Sequence, residues 1–358
     1  MASLSRLWRT VRHLKPIQIG GRLWFRLKRP RIDLSPAPAL RIASGIWYPV
    51  PARRPSLTGP QRFCFLNAEH QLAEAGWDDP LLPKLWRYNL HYFDDLQAAG
   101  WQDRAAWHSD LIAAWIAGNP PGQGSGWEPY PTSLRIVNWV KWQLAGGGLS
   151  AEALASLAVQ ARALVSRMEW HLLGNHLFVN AKALLFAGHF FDGPEAAAWR
   201  AVGLAVLRRE LDEQFLPDGG QFELSPMYHA LGFEDLLDLL NLVPHFPGLL
   251  PAGMVARLCH HAGAARRWLG LLSHPDGQIA FFNDAAFGIA PGNADLDRYA
   301  GRLGIPAPPP PGAVEHLAAS GYLRLAAGPA VLLADLARIG PDYLPGPAHA
   351  DTLSFELS

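Results

Sequence analysis

The chain has 358 residues, 49% of them hydrophobic, enough for one large domain with a sizeable core, or one domain plus part of another. Its 31 Lys and Arg balance 31 Asp and Glu, which argues against a nucleic-acid binder driven by phosphate neutralisation. Cys64 and Cys259 are the only cysteines, too few for a disulfide framework or a metal knuckle, and no run of about 18 apolar residues is present to span a bilayer.

Residues 1–60 read as a basic arm and linker. Arg6, Arg9, Arg12, Lys15, Arg22, Arg26, Lys28, Arg29 and Arg31 alternate with Leu4, Leu7, Trp8 and Trp24. No continuous apolar core or small-residue cleavage site of a secretory signal is legible, so localisation stays open between cytoplasm and periplasm. Contact with an anionic membrane surface is one reading of this arm. The plainer reading is a solvated arm that packs its Trp and Leu residues on the domain.

From residue 61 to 305 helical patterns dominate. Apolar spacings of three and four predict helices over 85–96, 104–117, 132–144, 151–170, 175–190, 195–215, 226–242 and 254–272. Ser225-Pro226 gives an N-cap with Pro at the first helical position, and Ser150 opens another helix. Gly146-Gly147-Gly148 and Pro217-Asp218-Gly219-Gly220 are breaks. Several helices are apolar nearly all round, as in an inner layer covered by others. Consecutive hairpins of this kind predict a mainly α fold, an (α/α) toroid or incomplete barrel. The 14 Trp residues suit such a core better than sugar stacking. The tract 306–311 is a stiff Pro-rich linker. Beyond it, 321–325, 330–335 and 352–357 read as strands. Three strands with open edges make a poor end for a domain, so residues 312–358 are expected to be the start of an antiparallel β-sandwich, cut short.

One stretch demands a chemical explanation. Gly174-Asn175-His176 opens an otherwise apolar helix, placing an amide and an imidazole where partial positive charge and free N–H groups collect. That is a place to receive a carboxylate. Polysaccharides rich in uronic acid are cut by β-elimination, which requires the carboxylate to be neutralised, the C5 proton removed and O4 protonated. Asn175 and His176 suit neutralisation. Tyr228, on the first turn of its helix, suits proton transfer if nearby positive charge lowers its pKa from about 10. Each residue also has a bland reading: a satisfied core His, a helix-capping Asn, a half-buried Tyr. Trp127, Arg135 and Asn138, from the loop 127–131 and the helix it enters, and Glu223 are candidate substrate-binding residues.

Together, Gly174-Asn175-His176, the run Gln221-Phe222-Glu223-Leu224-Ser225-Pro226-Met227-Tyr228-His229, Phe281-Phe282-Asn283-Asp284, and the segment from His349 to Leu357 resemble heparinase II/III-type polysaccharide lyases, a group with alginate lyase-like relatives. The resemblance covers the chain from about Trp86 onward. It implies an (α/α) toroid followed by a β-sandwich, an anionic uronate-containing polysaccharide as partner, Tyr228 as the proton-transferring residue, Asn175 as carboxylate neutraliser and His176 as its active-site neighbour. In that family the sandwich opens with a His-x-His-x-Asp segment, whose first His joins catalysis and whose second, in several members, binds structural Zn²⁺. Here His349 fits the zinc-type position and Pro347 stands where the first His would be. One His cannot close a zinc site of about four ligands. No cofactor is therefore expected in this chain as it stands, with Zn²⁺ reserved for a full-length relative, and the lyase is expected to be weakened or inactive. The rival readings are a glycoside hydrolase, drawing two carboxylates from Glu128, Asp218, Glu223, Asp276 and Asp284, and a catalytically silent glycan-binding protein.

Overall fold

Apolar spacing becomes helix at all eight predicted places. In the computed structural model, which describes residues 12–28, 30–337, 343 and 353–358, α1 (Pro16–Leu27) is followed by a long extended stretch and a small antiparallel sheet of β1 (Leu57–Gly59), β2 (Arg62–Phe65) and β3 (Ala68–Gln71). Then come α2 (Leu72–Ala75), α3 (Lys84–Tyr92), α4 (Ala105–Gly118), α5 (Pro129–Leu144), α6 (Ala151–Ser166), α7 (Gly174–Phe190), α8 (Gly193–Gln214), α9 (Pro226–His245), α10 (Ala252–Leu271) and α11 (Asn293–Arg302). Four antiparallel strands close the chain in the order β4 (Val314–Leu317), β5 (Tyr322–Ala327), β6 (Ala330–Asp335) and β7 (Phe355–Leu357).

Local chemistry explains where boundaries differ from the sequence pattern. α3 stops at Tyr92 because Phe93 takes a left-handed backbone, φ 62°, and a 3₁₀ turn over Asp94–Gln97 replaces the last predicted turn. α9 runs on to His245 through Pro244, whose missing N–H costs one bond of the final turn only. The strands β1–β3 and β4 and the helix α11 carry little periodic signal in the sequence.

α7 is the staff of the body. It packs against α5, α6, α8 and α9 and is buried continuously from Leu177 to Phe190. Trp86, Trp115, Trp139, Trp142 and Trp268 are all buried, as the composition predicts. Within this apolar body lies a balanced ion network. Lys182 of α7 contacts Asp235 (2.6 Å) and Asp238 (2.5 Å), Lys141 of α5 also reaches Asp238, and Arg53 reaches Glu234 (2.5 Å). Three cations meet three carboxylates, the condition under which buried charge persists.

The sheet docks on the helices through a second apolar core of Trp268, Leu271, Leu272, Phe282, Leu317, Tyr322 and Leu333. At the other end of the chain, α1 rests on the body by Gln18, whose amide donates to the Tyr343 carbonyl (3.2 Å), and by Phe25, whose ring lies 4.4 Å from that of His171. The expectation that the arm packs its Leu and Trp side chains on the domain fails for Leu23 and Trp24, which are exposed. The face of α1 toward the body is taken by Gln18, Gly21 and Phe25. Leu4, Leu7 and Trp8 lie outside the described residues. Among the described residues, no helix is long and apolar enough to cross a membrane.

Candidate active site

The mouth of α7 is built by an unusual backbone. Leu173 (φ 64°) and Gly174 (φ 56°) both take positive φ, uncommon for a Leu, and this turns the chain sharply so that Asn175 and His176 stand half-buried on the first helical turn. The carboxylate expected at this mouth is already there, and it belongs to the protein. Glu223, buried, accepts the backbone N–H of Asn175 and the side-chain amide of Gln221 (3.2 Å), while its own N–H donates to Gln221 Oε1 (2.8 Å). Burial raises the Glu223 pKa against the pull of these donors and of the nearby His176. One of the free N–H groups of the helix terminus is thus taken internally, and the side chains of Asn175 and His176 stand beside it. The Asn175 amide engages no side chain among the described residues.

His176 is held from two sides. Its Nδ1 lies 3.2 Å from Glu169 Oε1, a close polar contact rather than an aligned hydrogen bond, and its ring lies 4.4 Å from that of Tyr130. Glu169, in the loop before α7, is fixed by Asn180 of α7, whose Nδ2 donates to Glu169 Oε2 (3.2 Å) and to Ser133 Oγ (3.0 Å). Beyond Tyr130 the rings continue, Tyr130 to Tyr92 at 5.9 Å and Tyr92 to Tyr88 at 6.3 Å. Tyr88 donates to Glu128, which also takes Lys84 at 2.9 Å. The result is a strip of phenol rings leading to His176.

Tyr228 is positioned by a clip between loop, loop and sheet. Leu224, another residue at positive φ (62°), presents its carbonyl to both Tyr322 Oη (2.6 Å) and Asn283 Nδ2 (2.9 Å). The chain then enters α9 at Ser225-Pro226. One residue after Tyr228, buried His229 accepts the N–H of Gln221 at Nδ1 (3.2 Å) and faces the Ala265 carbonyl with Nε2 (2.9 Å). These two contacts require the neutral tautomer with its proton on Nε2, and burial holds the His229 pKa down to about 4. Tyr228 itself is half-buried. Burial, then the carboxylates of Asp284 and Glu223, push its hydroxyl up to about 12. Tyr228 was expected to meet positive charge that lowers this pKa. The structure sets carboxylates beside it instead.

Arg135 and Trp127 stand elsewhere than expected. Arg135 is wholly buried, donating to Gln160 (2.9 Å) and to the His91 carbonyl (3.2 Å), with its guanidinium 3.8 Å from the Trp115 ring. It ties α3, α4, α5 and α6 together and has no access to a cleft. Trp127 donates to the Asn119 carbonyl (3.1 Å) and lines a separate cavity of about 470 Å³ with Phe25, Arg26 and Arg167. Asn138, also buried, donates to the Tyr92 carbonyl (2.9 Å) and to Asp94 (2.7 Å), so it braces the tyrosine strip from behind. Of the carboxylates weighed for hydrolysis, Asp218 accepts from the Ser320 N–H (2.7 Å) across to the sheet, and Asp276 from the Gln278 N–H (2.9 Å) within its own turn. Pro347, His349 and Asp351 lie outside the described residues.

The profile of the heparinase II/III N-terminus matches residues 105–288, and that of the heparinase II/III-like C-terminal region matches 309–358. The chain belongs to the heparinase II/III family. A heparin-sulfate lyase of Bacteroides stercoris is 44% identical over 70 residues, 19% of this chain and 10% of that protein. Another, from Pedobacter heparinus, is 38% identical over 81 residues, 21% of this chain and 12% of that protein. Among solved structures, heparinase III matches with a TM-score of 0.57 at 20% identity over 76% of this chain and 48% of the other. Heparan sulfate lyase from Pedobacter heparinus matches with 0.53 at 20% identity over 95% and 58%. These structural matches fix the fold, an (α/α) toroid followed by an antiparallel sheet. The chain spans about half the length of the solved relatives, and its curated matches span about a tenth of theirs.

Asn175, His176 and Tyr228, singled out in the sequence, each lie within electrostatic or hydrogen-bonding reach of Glu223. What the sequence reading missed is their surround: Glu169, Asn180, Tyr88, Tyr92 and Tyr130. Only the spacing of Asn175, His176, Asn180 and Lys182 along one apolar helix carried a signal, four polar side chains where burial disfavours them. Among the described residues no group of three or more His, Cys, Asp or Glu could hold a metal ion.

Proposed function

We propose that the chain is a polysaccharide lyase that cuts a uronate-containing anionic glycan by β-elimination. The observation that carries this reading is the position of Glu223. It accepts from the backbone of Asn175, lies near His176 and raises Tyr228, so the three residues share one neighbour. In the proposed reaction Asn175 and His176 donate to the substrate carboxylate. Tyr228 Oη, deprotonated, takes the C5 proton. The C5–H electron pair becomes the C4–C5 double bond, the C4–O4 bond breaks, and O4 leaves with a proton that the same hydroxyl is at hand to return. Tyr88 and Tyr130, half-buried, offer ring faces for neighbouring sugars, with Tyr92 buried between them.

The test is direct. Elimination creates an unsaturated uronate, so incubation with alginate, heparan, chondroitin or bacterial exopolysaccharides is expected to produce ultraviolet absorbance with at least one of them. Tyr228→Phe is expected to lower that rate at least about 100-fold while the melting temperature stays near wild type. Cleavage that leaves a saturated reducing end, or full activity in Tyr228→Phe, would overturn the reading.

A further inference from the structure

α1 rests on the protein through Gln18, Gly21 and Phe25 and leaves an apolar stripe facing outward. Gln18 is 1% exposed. Gly21 abuts the chain at His171, where an added Cβ would come within 3.0 Å of the backbone nitrogen. Phe25 lies between His171 and the Arg167 guanidinium, which is 4.1 Å from its ring. On the opposite side Ile19 (41%), Leu23 (59%) and Leu27 (82%) stand exposed. Residues four apart on a helix form one stripe. Trp24, 54% exposed, widens it, with Lys28 Nζ 4.2 Å from its ring.

The charge around this stripe is one-sided. Arg22 and Arg26, also four apart, flank it. Residues 1–31 contain nine Lys and Arg and no Asp or Glu, so the remaining 327 residues carry nine more acids than bases in a chain of zero net charge. Cation is therefore segregated onto the segment that bears the outward apolar stripe. A helix with Leu and Trp on one face and Arg and Lys at its flanks matches the boundary between lipid headgroups and acyl chains. Nucleic acid would use the cations and leave the stripe without a role. A twofold pairing of α1 with itself would gather Arg22, Arg26 and Lys28 of two copies with no acid on either helix.

We infer that α1 docks this protein on an anionic lipid surface, with Leu23, Trp24 and Leu27 entering the headgroup boundary and Arg22, Arg26 and Lys28 meeting lipid phosphates. Because α1 rests on His171, five residues before His176, docking sets the mouth of α7 close to that surface. The inference stands apart from the proposed lyase chemistry.

Co-sedimentation of the full chain with vesicles tests it. Phosphatidylcholine vesicles containing phosphatidylglycerol are expected to retain the protein, phosphatidylcholine alone far less, and added salt to weaken the difference. Arg22→Gln with Arg26→Gln is expected to weaken anionic-vesicle binding on the order of tenfold or more, each basic residue near such a surface contributing about 1 kcal/mol. Leu23→Glu with Leu27→Glu is expected to abolish it. Leu27→Gln alone, at the most exposed position of the stripe, is a second variant that leaves the contacts to Tyr343 and His171 intact. No binding to anionic vesicles overturns the inference, as does binding that all three variants leave unchanged. So does a vesicle-independent dimer that Leu27→Gln dissociates, or retention on nucleic acid lost only in the arginine variant.

Discussion

Tyr228 combines a working position with an unfavourable charge state. Burial and the carboxylates of Asp284 and Glu223 hold its hydroxyl protonated up to about 12, so in the free protein only a small fraction is ready to take a proton near neutral pH. The rate of elimination is therefore expected to climb with pH through the alkaline range. Asp284→Asn removes the carboxylate that, after burial, weighs most on Tyr228. It is expected to move the rising limb of the kcat/KM profile toward lower pH, and an unmoved limb would show that another group sets it. The same linkage acts on stability. A tyrosine whose folded pKa stands above its ordinary 10 stabilises the fold fully below 10 and loses that contribution as pH rises toward 12, so the active range closes where the fold weakens. Arg135 calls for the opposite test. Its guanidinium serves the core, and Arg135→Ala strands Gln160 and the His91 carbonyl without their donor. A loss of about 2–4 kcal/mol in denaturant unfolding is expected, with KM of the folded fraction unchanged. A raised KM would restore it to the substrate cleft.

At the scale of elements, the helices were legible because burial writes itself as a period. α4, α5, α7, α8, α9 and α10 fall within a few residues of where apolar spacing placed them. The miss at Phe93 is of another kind: a single left-handed residue ended α3 early, and no side-chain pattern announces that geometry in a phenylalanine. The site was half legible for a related reason. Motif residues on helix starts could be named, while the phenols at 88, 92 and 130 look like ordinary amphipathic positions until α3 and α5 pack side by side. Arg135 was misplaced because a charged residue near a helix start reads as solvent-facing, and only packing reveals an Arg seated on Trp115. The sheet was legible as strands but not as a partner of the site. Tyr322, first residue of β5, holds the Leu224 carbonyl that precedes α9. Tyr322→Phe keeps the ring against Trp268 and Phe282 and deletes the hydroxyl. A stability loss of about 1–2 kcal/mol is expected, together with a fall in kcat at near-constant KM, because the start of α9 carries Tyr228. A kcat equal to wild type would mean that Asn283 alone secures the clip.

Over the whole molecule, burial of ionisable groups sets how the protein meets acid. His91, His189 and His229 are all fully buried. Burial holds each as the neutral base, His91 down to about 3 and His189 and His229 down to about 4. In the unfolded chain each titrates near 6.5. Groups whose folded pKa is depressed give their full stabilisation above the unfolded value and lose it as pH falls toward the folded one. Between 6.5 and about 4 the unfolded state thus gains up to three protons that the native state does not take up, a slope approaching about 4 kcal/mol per pH unit. Buried carboxylates work against this lower in the range. Glu223, Glu234 and Asp235 have raised pKa values, burial being the first cause for each, so the native state also binds protons there. A native stability of about 5–15 kcal/mol cannot absorb the histidine slope for long, and the toroid is expected to unfold on acidification before pH 4 is reached. Denaturant midpoints measured from neutral pH downward check this. His189→Leu gives the internal control, since His189 lies at the far end of α7 from Asn175 and its Nε2 has no hydrogen-bond partner among the described residues. It is expected to lower the slope by about one proton and leave the cleft intact. An unchanged slope in that variant would assign acid lability to the ion network of Lys141, Lys182, Asp235 and Asp238 rather than to the buried histidines.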